Sequence, residues 1–280
     1  MSYSVSVIVP VYRVEDKIQR CLDSLLAQDM ATLPSGERLL EVLLVDDRGG
    51  DQSMALCEHY IATHHLESDW HILTMPANGG PAAARNLGIG QAKGEYIAFC
   101  DADDWVEPNM YETLYHQARQ YDADLSSAAA VLDYPDGSHR RMTNPEVAQG
   151  ELTVANRKHI LKHFISNFTT MLFRREWLLE NGLRFPDSRS GEDSCFMGCC
   201  YLLCRRIAQC NEPFYHYVIY PTSISHSKHV YRGRQKREAF RQLLLFAKDH
   251  GLWPQYKWVL RWVYFKKAII TSILDYLKSL

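Results

Sequence analysis

The sequence predicts an α/β fold with a mostly parallel central sheet flanked by helices and a helical C-terminal extension. Three observations carry that expectation. Short β-rich apolar runs alternate with segments whose apolar residues recur at helical spacing, the arrangement that builds right-handed βαβ units. Each of the first four runs stops at a turn rich in Pro, Gly or Asp, and in a parallel sheet such turns gather beyond the carboxyl ends of the strands, where ligands bind. With 46% hydrophobic and 23% charged residues among 280, the chain falls in the globular range and is long enough to bury a substantial core.

Taken in order, Val5-Ser6-Val7-Ile8-Val9 reads as a strand closed by Pro10-Val11-Tyr12, and 14–27 follows as a helix with Ile18, Cys21, Leu22, Leu25 and Leu26 on one face. Glu41-Val42-Leu43-Leu44-Val45 repeats the pattern, ends in Asp46-Asp47 and leads through Gly49-Gly50-Asp51 into a helix carrying Met54, Leu56, Cys57 and Ile61. Residues 70–75 are the third predicted strand, which passes through Asn78-Gly79-Gly80-Pro81 into an Ala-rich helix over 82–92 with proline in its first turn. Residues 96–100 are the fourth, ending in Asp101-Ala102-Asp103-Asp104-Trp105. Beyond that point the periodicity loosens: 107–121 predicts a helix, 124–131 a strand, Tyr134-Pro135-Asp136-Gly137 a turn, and 156–164 and 175–180 two more helices. The polar loop 187–193 then enters an apolar helix over 195–203 and puts Glu192 and Asp193 at its N-terminus, where the helix dipole favours ionised carboxylates.

The net charge of −2 hides an asymmetry. Residues 228–280 hold twelve Lys/Arg against Glu238, Asp249 and Asp275, a net +9, so the rest of the chain is correspondingly acidic. The eight cysteines sit inside apolar patterns and read as buried thiols; Cys195, Cys199, Cys200 and Cys204 have helical spacing rather than the paired knuckles of a structural zinc site. Met1-Ser2-Tyr3-Ser4 runs straight into a strand with no basic, apolar and small-residue leader, which predicts a cytoplasmic location.

Asp101-Ala102-Asp103-Asp104 concentrates carboxylates at one strand end. Like charges that close resist ionisation unless a cation is shared, and hard oxygen ligands suit Mg²⁺ or Mn²⁺. A metal there would suit a phosphate-bearing substrate; a solvated loop is the simpler reading of the same residues.

Five motifs in series carry a resemblance: Val7-Ile8-Val9-Pro10-Val11-Tyr12, Val45-Asp46-Asp47, Asn78-Gly79-Gly80-Pro81-Ala82-Ala83-Ala84-Arg85-Asn86-Leu87-Gly88, Gly94-Glu95-Tyr96-Ile97 with Asp101-Ala102-Asp103-Asp104, and Gly191-Glu192-Asp193 with Phe196. Together, over roughly 4–227, the chain resembles family 2 glycosyltransferases of the GT-A fold, whose central sheet is Rossmann-like. The resemblance implies inverting transfer of a sugar from a nucleotide-sugar donor, usually a UDP-sugar, to a glycan hydroxyl, with Mn²⁺ or Mg²⁺ as cofactor. By position, Pro10, Tyr12, Asp46 and Asp47 match the pocket for uracil and ribose, and Gly79 and Arg85 lie in the motif that faces the nucleotide and diphosphate. Asp101, Ala102 and Asp103 match the D-x-D motif, with Asp103 the direct metal ligand and Asp101 nearer the ribose, and Asp193 matches the catalytic base. Glu192 is expected either to bind the acceptor or to hold its loop, and Trp105 either to form an acceptor-sugar platform or to pack at the strand end. His226 matches a position that completes the metal shell in some relatives. Arg13 stands where the family often has Asn, and Arg48-Gly49 where it often has Gly-Ser. The resemblance divides the chain into a catalytic domain, 1–227, with a nucleotide-binding half (1–104) and an acceptor-binding half (105–227), and a basic, aromatic extension, 228–280.

In that extension Trp262, Phe265, Ile269, Ile273 and Tyr276 share one helical stripe, interrupted by charges too often for a membrane span. Two readings stay open. One is an interfacial helix against anionic lipid; the other is a helix packed on the catalytic domain or on a second subunit of a homodimer. The first implies a peripheral site at the inner face of the cell membrane and a lipid-linked glycan acceptor in surface polysaccharide or lipopolysaccharide synthesis. Nucleic acid is not an expected partner, since no nucleic-acid motif accompanies the basic tail. The competing functions are a nucleotidyltransferase on sugar phosphates and a non-catalytic scaffold of a polysaccharide assembly complex. The first calls for a Gly-rich basic loop where this chain has Pro10-Val11-Tyr12, and Asp101, Asp103 and Asp193 argue against the second.

Overall fold

Burial alternates along the first strand: Val7 and Val9 pack on one face and Ile8 on the other, all fully buried, as a strand covered by helices on both sides requires. In the computed structural model, which describes residues 3–30, 39–188, 190–220 and 231–270, this is β1 (Val5–Val11). It is followed by α1 (Ile18–Leu26), β2 (Leu40–Asp46), α2 (Ser53–His64), β3 (Trp70–Thr74), α3 (Gly80–Gln91) and β4 (Tyr96–Phe99). The second part of the chain adds β5 (Trp105–Val106), α4 (Met110–Gln120), β6 (Leu125–Asp133), β7 (His139–Met142), β8 (Gly150–Glu151), α5 (Val154–His163), β9 (Met171–Arg174), α6 (Arg175–Glu180), α7 (Glu192–Leu203) and β10 (Arg206–Val218). Two helices close the described chain, α8 (Tyr231–Asp249) and α9 (Trp253–Val263), the latter running into a π-helical turn, Tyr264–Ile270.

One sheet holds the strands in the order β3-β2-β1-β4-β9-β6-β10-β5, with β7 beside β6 and β8 beside β10. The four strands expected from the βαβ pattern are parallel to one another. The strands of the second part break that rule: β9 lies antiparallel between β4 and β6, while β10 is parallel to β6 and antiparallel to β5. Both β9 and β10 lie outside the strands read from the sequence. Their apolar stretches are short or mixed with polar residues, and partners distant in the chain define them.

Helices α1, α2 and α4 cover one face, with Leu22, Cys57 and Leu114 in its core; α3, α5 and α7 cover the other, with Ile89, Leu161 and Phe196. Gly88 lets α3 lie directly on β1, because a Cβ there would stand 2.4 Å from the Ile8 side chain. All eight cysteines are free and seven are buried.

The extension belongs to this second core. Phe240 and Leu243 of α8 and Tyr256, Leu260 and Val263 of α9 are buried with Phe196 and Leu161. A Cβ on Gly198 would meet Leu243 at 2.6 Å, so α7 and α8 touch where α7 lacks a side chain. Arg157 of α5 donates from Nη1 to the Tyr256 hydroxyl (3.0 Å) and from Nη2 to the Cys204 carbonyl, tying α9 to the end of α7. The aromatic stripe expected as one surface is divided: Trp262 and Phe265 are 46% and 51% exposed, and Trp258 joins them at 70%. Ile273 and Tyr276 lie outside the described residues. No helix among the described residues is long and apolar enough to cross a membrane.

Candidate active site

The ends of β1, β2 and β4 lie side by side, since β2 and β4 are the two neighbours of β1. At the end of β2, Asp47 is buried and its carboxylate is fully engaged: Oδ1 accepts the Gly79 N–H (2.7 Å), and Oδ2 accepts the Gly80 N–H (2.9 Å) and the Asn78 side-chain amide (3.0 Å). Asp47 therefore caps α3 from outside the helix and fixes the Asn78-Gly79-Gly80 turn. Asp46 accepts the Arg48 N–H at 2.8 Å. Pro10, next to last in β1, lies opposite Val45, and Tyr12, beyond the strand, is exposed with the Arg13 guanidinium 5.3 Å from its ring centre.

Arg13 and Arg48 both hold left-handed backbone, at φ 53° and 58°. Asn and Gly tolerate that region best, which accounts for the residues that the family often carries at these two positions. Here side-chain bonds offset the strain, Arg13 Nε to the Gly49 carbonyl (3.0 Å) and Arg48 Nε to the Met75 carbonyl (2.7 Å).

Arg85 rises from α3 into the space between the two acidic motifs. Its guanidinium is buried, pairs with Asp101 Oδ1 at 2.6 Å, and lies 4.5 Å from the Phe168 ring centre. The next residue, Asn86, clamps the Phe185 backbone with two hydrogen bonds of 2.8 and 2.9 Å. Phe185 in turn stacks on Phe196 of α7 with ring centres 4.0 Å apart. A single turn of α3 thus grips both the D-x-D acid and the segment leading to Glu192 and Asp193.

The three acids after β4 take different roles. Asp104 is buried, accepting the Tyr215 hydroxyl at 2.6 Å and the Val218 N–H at 2.9 Å, while the Tyr215 hydroxyl accepts the Asp101 N–H at 3.1 Å. Burial first, then the charges of Asp101 and Asp103, hold the Asp104 carboxyl well above the usual range. This acid anchors β10 under the site. Asp103 is only partly buried; burial and the Asp101 charge raise its pKa, opposed by Lys17 and Arg20. Ala102 between them is buried.

The residues present fit a divalent cation. Asp101 and Asp103 offer hard oxygens, and their mutual repulsion at a half-buried strand end is what a shared cation reverses. No three His, Cys, Asp or Glu side chains among the described residues cluster as metal ligands. His226 lies outside the described residues.

Glu192 and Asp193 open α7, after Gly191 at φ 82°. Burial, with the Asp193 charge second, pushes Glu192 from 4.5 up to about 7, and Arg85 pulls against it. Burial also raises Asp193, opposed by its hydrogen bond from the Ser194 N–H (2.6 Å) and by the charges of Lys267, Arg85 and Lys236. Arg85 therefore acts on both acidic motifs, which the fold brings to one place.

Trp105 is committed to protein on one face: its ring stacks on His216 with centres 3.5 Å apart, and its Nε1 has no protein partner. His216 is held between Glu107 Oε1 (3.0 Å) and Asp133 Oδ2 (3.1 Å). Neither Tyr215 nor His216 was legible as a site residue, because both sit in β10, and nothing local in the sequence signals that strand's position under the acids. Lys267 was legible only as part of a basic tail.

Residues 6–182 match the family described as Glycosyl transferase family 2. The chain is 32% identical to the glycosyltransferase EpsJ of Bacillus subtilis (strain 168) over 252 residues, 84% of this chain and 69% of that protein. It is also 32% identical to the glycosyltransferase GlyG of Streptococcus pneumoniae serotype 4 over 226 residues, 78% of this chain and 71% of the relative. Among solved structures, Staphylococcus aureus TarS 1–349 in complex with UDP-GlcNAc superposes with a TM-score of 0.70 at 25% identity, over 87% of this chain and 66% of that one. With the family matched over most of its length and its strand-end acids assembled in a GT-A-like sheet, the chain belongs to glycosyl transferase family 2.

Proposed function

We propose that the chain is an inverting glycosyltransferase that moves a sugar from a nucleotide-sugar donor, a UDP-sugar first among candidates, to a hydroxyl of a surface glycan. The observation that carries the reading is Arg85, paired with Asp101 on one side and within the field of Glu192 and Asp193 on the other. The TarS complexes with UDP and UDP-GlcNAc support the choice of nucleotide. Relatives named as poly(ribitol-phosphate) glycosyltransferases, 30% and 31% identical over 32% and 35% of their own length, support a polymer as acceptor.

In this reading Pro10, Tyr12 and the turn fixed by Asp47 receive the nucleotide, and Arg85 and Asp101 flank the diphosphate. Asp101 and Asp103 would hold Mn²⁺ or Mg²⁺, which would supply positive charge for the leaving diphosphate. Asp193 accepts the acceptor hydroxyl proton while that oxygen attacks the anomeric carbon; the new C–O bond forms as the sugar–phosphate C–O bond breaks, and the proton passes to solvent afterwards. A single displacement inverts the anomeric centre, so one base suffices. Glu192, with a pKa of about 7, meets the acceptor partly protonated and can donate a hydrogen bond to it.

The catalytic unit of this reading spans 1–227, donor half first, with 228–280 as the extension. Trp258, Trp262 and Phe265 stand exposed among Lys257, Arg261 and Lys266, with Lys158 and Lys162 of α5 alongside Trp258 and Trp262. Aromatic rings beside lysines suit the headgroup level of an anionic membrane, which would bring the enzyme to a lipid-linked acceptor at the inner face. Flotation with anionic liposomes tests this: the protein rises with them, and a soluble Trp258→Ser, Trp262→Ser, Phe265→Ser variant does not.

The reaction itself is tested with a panel of UDP- and GDP-sugars, with Mn²⁺ or with EDTA, by nucleotide release and by proton NMR of the anomeric product. The expected result is metal-dependent release and a product of inverted configuration. Retained configuration would overturn the single-displacement mechanism.

A further inference from the structure

Lys267 lies in the π-helical turn at the end of the described chain, a local geometry that recurs at functional sites. Its partly buried ammonium packs on the segment after α5: Nζ donates to the Phe164 carbonyl (2.9 Å) and to Ser166 Oγ (3.3 Å), and stands 3.6 Å from the Phe164 ring centre. The Ser166 hydroxyl is hydrogen-bonded to the Ser194 hydroxyl, and the Ser194 N–H donates to Asp193 Oδ1 at 2.6 Å. These contacts bring the C-terminal turn to the residue next to Asp193, beside the buried rings of Phe164, Phe168 and Phe196.

The rest of the extension is shaped to bring the turn there. Gly191 places the loop before Glu192 directly against α8, since a Cβ on it would lie 3.2 Å from Lys236 Cγ. One turn pair further along α7, Gly198 admits Leu243. Helix α8 carries the π-helical turn against its other side.

We propose that Lys267 is a positioning residue for the base, holding the Asp193 carboxylate ionised and in place through its charge and the Ser166–Ser194 bridge. The role rests on Asp193 being the base. The groups that face this pair are Arg85 from α3, Glu192 from α7, Lys236 from α8 and Lys266 from the turn itself. Burial disfavours the ionised form of this carboxylate; the Ser194 N–H bond opposes that first, and Lys267 heads the opposing charges, ahead of Arg85 and Lys236. The influence is reciprocal: burial lowers Lys267 to about 8, Asp193 holds it up, and Lys266 and Lys236 repel it. Each charge thus favours the ionised form of the other.

The test is direct titration of the intact chain. Carboxyl-carbon NMR, with Asp193 assigned by its disappearance in Asp193→Asn, is followed in wild type, Lys267→Met and Lys267→Arg. The Asp193 midpoint is expected to rise by about one pH unit in Lys267→Met and to stay near wild type in Lys267→Arg, which keeps the charge. A midpoint unchanged in Lys267→Met overturns the proposal. A second measurement needs no change at Lys267: in Asp193→Asn the Lys267 ammonium, followed by its Cε signal, is expected to titrate below the wild-type value, and an unchanged value overturns the proposal equally. The two failures are separable. Unshifted titrations overturn the Lys267 role alone, whereas wild-type sugar transfer by Asp193→Asn overturns the base assignment and the role with it.

Discussion

The donor side of the site and the base side are held by different kinds of contact. On the donor side, Asp47 and Asp101 sit at the ends of the two strands flanking β1, and short-range partners fix them: amides of the α3 N-terminus for one, Arg85 of the same helix for the other. On the base side, Asp193 has one local partner, the Ser194 N–H, and the charges that favour its ionised form arrive from α3, α8 and the C-terminal turn. A turn after a strand is a local device and forms wherever the βαβ unit forms. A buried carboxylate served by distant lysines forms only once the helices have packed. Changes at the donor side should therefore act on the acids directly, and changes in the extension should reach the base while leaving nucleotide binding intact.

The largest effect on stability is expected at the link between the two sides. Arg85→Met removes a buried cation and leaves Asp101 without its 2.6 Å partner. The side chains are 7% and 28% exposed, so a loss of about 3 kcal/mol by denaturant titration, the low end for a broken buried pair, is expected along with weakened donor binding. Gly198→Val acts where α7 meets the extension. Its side chain collides with Leu243, which a bare Cβ would already meet at 2.6 Å. The cost is about 2 kcal/mol, with donor affinity by calorimetry unchanged; a parallel loss of donor affinity would break the distinction between the two sides.

How much of this was legible in the sequence follows the same divide. The first four parallel strands and the acids at their ends could be read because each strand, turn and helix carries its own signal: Pro10 near the end of β1, Asp46-Asp47 at the end of β2, Pro81 in the first turn of α3. β9 and β10 could not, because Met171–Arg174 is too short to show periodicity and β10 mixes Asn211-Glu212-Pro213 into its middle, where its register to β6 shifts. Asp104 had no assigned role, since the tyrosine that explains it is on β10. The tail was read as an amphipathic helix facing either lipid or protein, and both faces exist: Tyr256, Leu260 and Val263 are buried while Trp258 and Trp262 are exposed. A charge inventory could not single out Lys267, because its importance lies in a contact with residues of α5 and α7.

Two smaller effects sharpen the comparison. Tyr215→Phe leaves the buried Asp104 carboxyl and the Asp101 N–H each short of one partner. A loss of about 1.5 kcal/mol is expected in thermal or denaturant unfolding, on the donor side and with no change in the Asp193 titration. Glu192 contributes a pH dependence whose sign is fixed by its shift. Raised from 4.5 to about 7, it binds more protons in the folded than in the unfolded chain between those values, so stability falls as pH rises through that window. Glu192→Gln should flatten the fall between about pH 5 and pH 7 by about 1 kcal/mol, discounted for partial access of solvent.

The central claim is that Asp193, and not its neighbour, is the base of a transferase whose donor site is separately held. The most direct measurement compares Asp193→Asn with Glu192→Gln in sugar transfer, with donor binding by calorimetry as the control. The account predicts that Asp193→Asn binds the nucleotide sugar as wild type does and loses transfer by about 10³-fold, while Glu192→Gln keeps most of its activity. Transfer surviving in Asp193→Asn and lost in Glu192→Gln, with donor binding intact in both, would contradict it.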